Sequence, residues 1–85
     1  MKKQIGDLIY DTDKAEKLCT NRNIFLWEVL YKTSNGRFFL FNSRVLKEGS
    51  DDIVDLSLKK AKEFFNEHGD SSRYEEVFGS KVQEA

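Results

Sequence analysis

Proline is missing from the 85 residues of this chain, and cysteine and histidine occur only once each. A single cysteine excludes an internal disulfide framework, and one cysteine with one histidine is too few for a zinc site. The five glycines stand singly, so no glycine-rich phosphate loop is present. No apolar run approaches the roughly 18 residues of a membrane span, and no signal-peptide core follows Met1. We therefore expect a cytoplasmic protein without a metal or cofactor.

The composition is typical of one small folded domain over residues 1–85, with a frayed end at 80–85. Hydrophobic residues make up 39% of the chain and charged residues 34%, which favours a globular protein over a disordered one. The net charge of -1 provides no overall attraction to nucleic acid or to a membrane surface. The charge is uneven, summing to +1 over 1–24, +2 over 25–50 and -4 over 51–85. The acidic last third indicates solvated helix faces or a negative face that docks on a basic partner.

The strongest pattern is a β-hairpin in the middle of the chain. Residues 24–33 are dense in β-branched and aromatic side chains, and residues 38–46 form a similar return strand. Between them stands Asn35-Gly36, the preferred pair for a two-residue type I′ turn. We therefore predict a tight hairpin that turns at these two residues.

A two-residue turn would determine which side chains share a face of this hairpin. It would place Trp27 opposite Arg44, close enough for a cation–π contact of about 0.5–1 kcal/mol. Phe25, Tyr31 and Phe38 would lie on the same face. Both faces carry bulky apolar groups, although a two-layer fold buries only one of them. We therefore predict that these five residues form a protein-contact surface on the face that helices leave uncovered, with Phe39 and Phe41 outward in the alternative arrangement.

The remaining segments predict an α+β fold: a small antiparallel sheet centred on the 24–46 hairpin, with two or three short helices packed on one face. Gly6-Asp7 favours either a tight first hairpin or an extended ribbon. The other predicted elements are a helix over 14–19, a short strand over 53–56, a helix over 58–68 capped by Ser57, and a last short helix capped by Ser72.

The residues give little sign of catalysis. Cys19 lies late in the predicted 14–19 helix, where the dipole disfavours a thiolate, and His68 lies near a helix C-terminus. The adjacent acids Glu75 and Glu76 point in different directions on a helix and do not face one cleft. We therefore expect a protein that is not an enzyme.

Three stretches of the chain carry a resemblance to known proteins: Ile5–Thr12 with Ala15; Leu30–Thr33 through Gly36 to Phe38–Leu40; and Leu56-Ser57 with Ala61, Phe64, Glu67-His68 and Tyr74–Gly79. Together they resemble a family of small accessory proteins carried by phages, plasmids and conjugative elements of Gram-positive bacteria. The matching positions are turns, caps and core residues, so no catalytic residue is implied. The resemblance implies a mobile-element setting, in which small proteins often occlude a host defence enzyme, as anti-CRISPR proteins do.

These observations favour a non-catalytic protein-binding module, in particular an anti-CRISPR-like inhibitor that occludes a host defence effector. The module could also form a homodimer through the same face. One alternative is a single-stranded nucleic-acid-binding or small regulatory protein that uses the hairpin aromatics, because Gly36-Arg37-Phe38 and the rings after it are similar to RNA-contacting strands. A second alternative is a purely structural homodimer. The small positive charge of the hairpin makes nucleic acid the weaker choice.

Overall fold

The computed structural model describes residues 1–79, so the predicted frayed end at 80–85 lies outside the described residues. The elements in chain order are β1 (Lys2–Ile5), β2 (Leu8–Asp11), β3 (Glu16–Arg22), β4 (Leu26–Lys32), β5 (Phe38–Arg44), β6 (Asp52–Leu56), α1 (Leu58–His68), a 3-10 turn (Ser71–Arg73) and α2 (Tyr74–Phe78). Strands β3 to β6 form one antiparallel sheet in the order β3-β4-β5-β6, and β1 pairs with β2 in a separate hairpin. The predicted α+β class, with the 24–46 hairpin at the centre of the sheet, is confirmed.

The first hairpin is tight, as one of the two sequence alternatives predicts. Ile5 pairs with Leu8, which leaves Gly6 and Asp7 as a two-residue turn. Gly6 has a φ of 61°, and no other residue type in the described chain has a positive φ. Positive φ at the first turn position alone is the type II′ geometry, which suits the twist of paired strands.

The turn of the central hairpin differs from the prediction. The Gly36 N–H donates to the Thr33 carbonyl at 3.0 Å, and the Thr33 N–H donates to the Arg37 carbonyl at 2.8 Å. Gly36 has a φ of 80°, whereas Asn35 keeps a negative φ and so cannot take part in a type I′ turn. The loop is therefore a three-residue connection, a tight turn followed by a glycine with positive φ.

One extra loop residue moves the strand register by one position. Lys32, rather than Thr33, pairs with Phe38, and Trp27 pairs with Ser43 rather than Arg44. Because side chains alternate between the two faces of a strand, this shift regroups every residue of β5 relative to β4. The predicted division of the hairpin into two faces is wrong for this reason.

The predicted helix over 14–19 is also wrong, because these residues belong to a turn and to strand β3. Asp11 accepts a hydrogen bond from the Asp13 N–H at 2.9 Å, so the expected helix cap is a turn instead. Strand β3 pairs with β4 along its length, with an irregularity between Lys17 and Cys19. Six residues cannot sustain a helix alone, and as part of β3 Leu18 is buried in a cluster with Leu30 of β4 and Phe65 of the helix that follows the sheet.

The second half of the chain follows the sequence prediction closely. Helix α1 begins after Ser57, whose hydroxyl accepts a hydrogen bond from the Lys60 N–H at 3.2 Å. The helix buries Ala61 and Phe65 against the sheet. The short last helix also forms, but Ser72 does not cap it: Ser72 lies in the preceding 3-10 turn, which Asp70 caps by accepting from the Ser72 N–H at 3.0 Å, and Arg73 precedes α2 without a side-chain cap bond.

The sheet is covered on both sides. The helices pack over one face, in a cluster of Leu18, Leu30, Phe38, Ala61, Phe65 and Val77. The β1–β2 hairpin packs over the other face, in a cluster of Tyr10, Val29, Tyr31, Phe39, Phe41 and Ile53. The Tyr10 hydroxyl donates to Asp55 at 2.7 Å, and Lys3 donates to Asp52 at 2.6 Å, so polar contacts also hold the hairpin to β6. The prediction that one sheet face stays uncovered is therefore wrong.

Candidate functional site

The five residues predicted to form a contact surface lie in different places. Tyr31 and Phe38 are buried, Trp27 is half-buried, and only Phe25 and Arg44 are exposed. Tyr31 stacks on Phe39 beneath the β1–β2 hairpin, with ring centroids 5.0 Å apart and planes at 10°. Phe38 lies on the opposite face, under the helices. The structure therefore brings Phe25 and Arg44 to one end of the sheet and places Tyr31 and Phe38 in the core.

The predicted Trp27–Arg44 pair is replaced by another pair. Arg22, on the neighbouring strand β3, pairs with Trp27 and holds its guanidinium carbon 5.4 Å from the centre of the indole ring. The indole also meets Phe41 in a T-shaped contact, with ring centroids 5.4 Å apart. Trp27 therefore links the core to an exposed arginine at the end of the sheet.

Exposed apolar side chains concentrate at this same end of the central hairpin. Phe25 is 63% exposed and Leu46 is 80% exposed, and their neighbours Ile24 and Val45 are 73% and 46% exposed. The Val45 N–H donates to the Phe25 carbonyl at 3.0 Å, so the two chain segments lie side by side. We call Ile24, Phe25, Val45 and Leu46 the apolar tip.

The backbone of the apolar tip is held by a local hydrogen-bond network. The side-chain oxygen of Asn23 accepts from the N–H groups of Phe25 and Leu26, both at 2.8 Å. The Asn23 N–H in turn donates to the Leu26 carbonyl at 2.9 Å. On the second segment, the Ser50 hydroxyl accepts from the Arg44 N–H at 2.8 Å. These bonds present the apolar side chains on an ordered turn, which lowers the entropy lost on binding.

Three basic residues flank the apolar tip: Arg22, Arg44 and Lys47, all exposed. Together with Glu48 they give the segments 22–25 and 44–48 three positive charges and one negative, a net of +2. The chain as a whole carries -1. The apolar tip therefore has a basic border on a weakly acidic molecule.

Ile24, Val45 and Leu46 were missed by the sequence prediction of a contact surface. The sequence does contain a sign of these residues. Apolar side chains continue beyond the paired residues of β4 and β5, next to the polar residues Asn23 and Arg44. Apolar residues beyond the end of a strand lie outside the reach of a covering layer. The predicted strands over 24–33 and 38–46 include these residues, so they do not stand out in the sequence as a separate surface.

The aromatic residues that favoured the nucleic-acid alternative are not available for stacking. Phe38, Phe39 and Phe41 are each at most 8% exposed, and they pack against other rings of the two cores. A base-stacking platform needs open ring faces. The geometry therefore gives no support to nucleic-acid binding through this strand.

The single cysteine lies on strand β3, half-buried beside the helix-side core. Burial raises the pKa of the Cys19 thiol to about 11, and the charge of Arg73 offsets only part of this effect. A thiol in this environment stays protonated at neutral pH, so it is a poor nucleophile. His68 lies elsewhere, with its ring 4.7 Å from Phe64 and its Nε2 atom 3.5 Å from Glu67.

Comparison of the chain with family models, with curated proteins and with solved structures yields no match. Across residues 1–79, no helix has the length and apolar character needed to cross a membrane.

Proposed function

We propose that the chain is a non-catalytic protein-binding module whose contact surface is the apolar tip. The observation that carries the proposal is the placement of Ile24, Phe25, Val45 and Leu46 in water at one end of the sheet, while both sheet faces are covered. Scattered single apolar residues are common on protein surfaces, but a contiguous group is not. The tip exposes on the order of 400–600 Å² of apolar surface, the size of patches that often mark binding sites.

We further propose that this binding inhibits a host defence effector in the cytoplasm, with the chain encoded by a mobile genetic element. The support is the resemblance to accessory proteins of phages, plasmids and conjugative elements. Occlusion requires only a rigid body and one adhesive surface, and the hydrogen-bonded turn at Asn23 provides such a surface. The apolar tip takes over the role first predicted for a sheet face.

The binding function is tested with two variants of matched chemistry. Phe25→Asp places a charge at the centre of the apolar tip, whereas Ile9→Asp places one on a residue of β2 that is 68% exposed. Purified CRISPR effector nucleases are assayed for target-DNA cleavage with each protein. We expect wild type and Ile9→Asp to inhibit at least one nuclease equally, and Phe25→Asp to lose inhibition. Cleavage unaffected by the wild type across the panel would contradict the inhibitor proposal.

A further inference from the structure

The basic border of the apolar tip has specific structural support. Arg22 is held by its contact with Trp27, 5.4 Å from the guanidinium carbon to the indole centre. Arg44 ends strand β5, where its backbone N–H and carbonyl both bond to the Ser50 hydroxyl. Two of the three basic residues, Arg22 and Arg44, are therefore the last residues of β-strands, so their backbones are fixed. This lowers the entropy lost when they form ion pairs with a partner.

Two of the acidic side chains close to these segments form hydrogen bonds within the chain, whereas Glu48, inside the second segment, is exposed. Glu28 accepts a hydrogen bond from the Asn21 amide at 3.0 Å, and Asp51 accepts one from the Ser43 hydroxyl at 2.6 Å. The cations at the border, in contrast, surround exposed apolar surface. The net charge of +2 around this surface favours a ligand that carries carboxylates of its own.

We propose that the apolar tip binds a protein segment with an apolar centre bordered by Asp and Glu side chains. This inference rests on the proposed protein-binding function and adds the chemistry of the partner. The apolar centre would cover Phe25 and Leu46, and the carboxylates would pair with Arg22, Arg44 and Lys47. Charged groups at the rim of an interface chiefly set the choice of partner and the rate of association.

The same observations argue against a second copy of this chain on the apolar tip. A symmetric dimer through the apolar tip would bring the basic borders of the two copies together, which is repulsive. It would also bury only about 1,000 Å² in total, the lower limit for a stable interface. The acidic partner removes the repulsion.

The test is selection of peptides from a random 12-residue library displayed on phage. Wild type, Ile9→Asp and the double variant Phe25→Asp/Leu46→Asp are immobilised separately. We expect peptides enriched on wild type and Ile9→Asp to combine Leu, Phe or Trp with several Asp or Glu. Loss of a central hot-spot contact of about 2 kcal/mol corresponds to roughly 30-fold weaker binding, so the double variant should retain none of them.

Binding of a selected synthetic peptide is then measured by the fluorescence of Trp27, the only tryptophan of the chain. Affinity should fall with added salt, and replacing each Asp or Glu of the peptide by Lys should abolish binding. Selection of basic or uncharged peptides would overturn the inference and leave the binding function intact. Failure to enrich any peptide over the double variant would contradict both. Concentration-dependent dimerisation lost in Phe25→Asp would show that a second copy is the occupant, which also overturns the inference.

Discussion

Phe39 and Phe25 show how two residues of one type take opposite roles through position alone. Phe39 is fully buried between Tyr10 and Tyr31, with ring centroids 5.2 and 5.0 Å away. Phe25 lies in the apolar tip and is 63% exposed. The first side chain is available to stabilise the fold, and the second is available to a partner.

Truncating these two phenylalanines should separate stability from binding. Phe39→Ala removes a buried ring and leaves a cavity, so we expect the free energy of unfolding to fall by about 3–5 kcal/mol. Phe25→Ala removes an exposed ring, and the expected change is within about 0.5–1 kcal/mol. Urea unfolding followed by circular dichroism measures both. Equal losses in the two variants would mean that Phe25 packs as tightly as a core residue.

Cys19 provides a pH-dependent test of the same burial. A thiol with a pKa of about 11 holds roughly one thousandth of its population as thiolate at pH 8, against about a quarter for an ordinary thiol near 8.5. Alkylation by iodoacetamide at pH 8 should therefore be on the order of 100-fold slower in native protein than in urea. The raised pKa also makes the free energy of unfolding depend on pH. The contribution of the protonated thiol is fully present below about pH 8.5 and is lost as the pH rises through about 11.

A matched control for this experiment is Thr20→Cys on a Cys19→Ser background, because Thr20 is an exposed neighbour on the same strand. The exposed thiol should react at nearly the same rate in native and unfolded protein. A native Cys19 that reacts as fast as this control would contradict the burial of the thiol.

At the scale of elements, the central hairpin shows what sequence pattern can and cannot determine. Alternating β-branched and aromatic residues predict both strands correctly, because that pattern depends on each strand alone. The register of the two strands depends on whether Asn35 adopts a positive φ. In the observed turn Gly36 has a positive φ and Asn35 does not. The loop is one residue longer than predicted, and Phe38 and Tyr31 therefore lie on opposite faces of the sheet instead of the same face. Local pattern therefore predicts elements more securely than faces.

The segment 14–19 fails for a related reason. Ala15, Leu18 and Cys19 have helical spacing, but three apolar residues over so short a stretch carry little weight. The edge of β4 needs a partner strand for its backbone groups, and Leu18 gains burial there. This tertiary demand is absent from the local sequence. Helix α1, in contrast, has a cap and a longer apolar stripe, and its bounds are predicted correctly.

The edge strand β6 is protected by a pair of charged side chains. The Asp52 carboxylate accepts from the Ile53 N–H at 2.9 Å, and the Lys3 ammonium donates to the Ile53 carbonyl at 3.2 Å. Lys3 and Asp52 also bond to each other at 2.6 Å. They therefore occupy backbone groups that an added strand would need, which is a common defence against edge-to-edge aggregation.

Breaking this pair should favour association through β6. In Lys3→Met, we expect larger species at high protein concentration, measured by sedimentation velocity, while the control Lys2→Met stays like wild type. The hydrogen bond from Lys3 lowers the pKa of Asp52, so the pair adds stability at pH values above the ordinary range near 4 and loses it as the pH falls through the lowered pKa. The stability difference between Lys3→Met and wild type should therefore shrink in strong acid. Monomeric Lys3→Met at all concentrations would contradict the protective role.

For the whole molecule, the decisive fact is that a chain of this size covers a sheet on both sides. The sequence shows apolar groups on both hairpin faces, and a two-layer fold leaves one of them exposed. The β1–β2 hairpin resolves the conflict by packing Ile5 and Tyr10 on the second face. At the end of the sheet, beyond both covering layers, the four apolar side chains of the apolar tip stay exposed. The sequence therefore predicts that the candidate site is apolar with a basic residue, and it identifies Phe25 and Arg44. The position of the site depends on the covering β1–β2 hairpin, which local sequence pattern does not reveal.

This arrangement makes the β1–β2 hairpin the element on which the second core depends. Its anchor is Tyr10, which is 2% exposed and bonds to Asp55. Tyr10→Ala should lower the free energy of unfolding by about 3–5 kcal/mol and expose the face that contains Tyr31 and Phe39. The exposed face should bind the dye ANS, which marks accessible apolar surface.

Two further variants serve as controls. One separates the contribution of the Tyr10 ring from that of its hydroxyl, and the other tests an exposed residue of the same strand. Tyr10→Phe keeps the ring and loses only the bond to Asp55, so we expect a cost of about 0.5–1.5 kcal/mol and no ANS binding. Ile9→Ala alters an exposed residue of the same strand, with a change within about 0.5 kcal/mol. Strong ANS binding by Tyr10→Ala alone would show that one buried ring keeps this face closed. If Tyr10→Ala stayed as stable as Ile9→Ala and bound no dye, the cover of this sheet face would not depend on the Tyr10 ring, and the role of Tyr10 as the anchor of the hairpin would be contradicted.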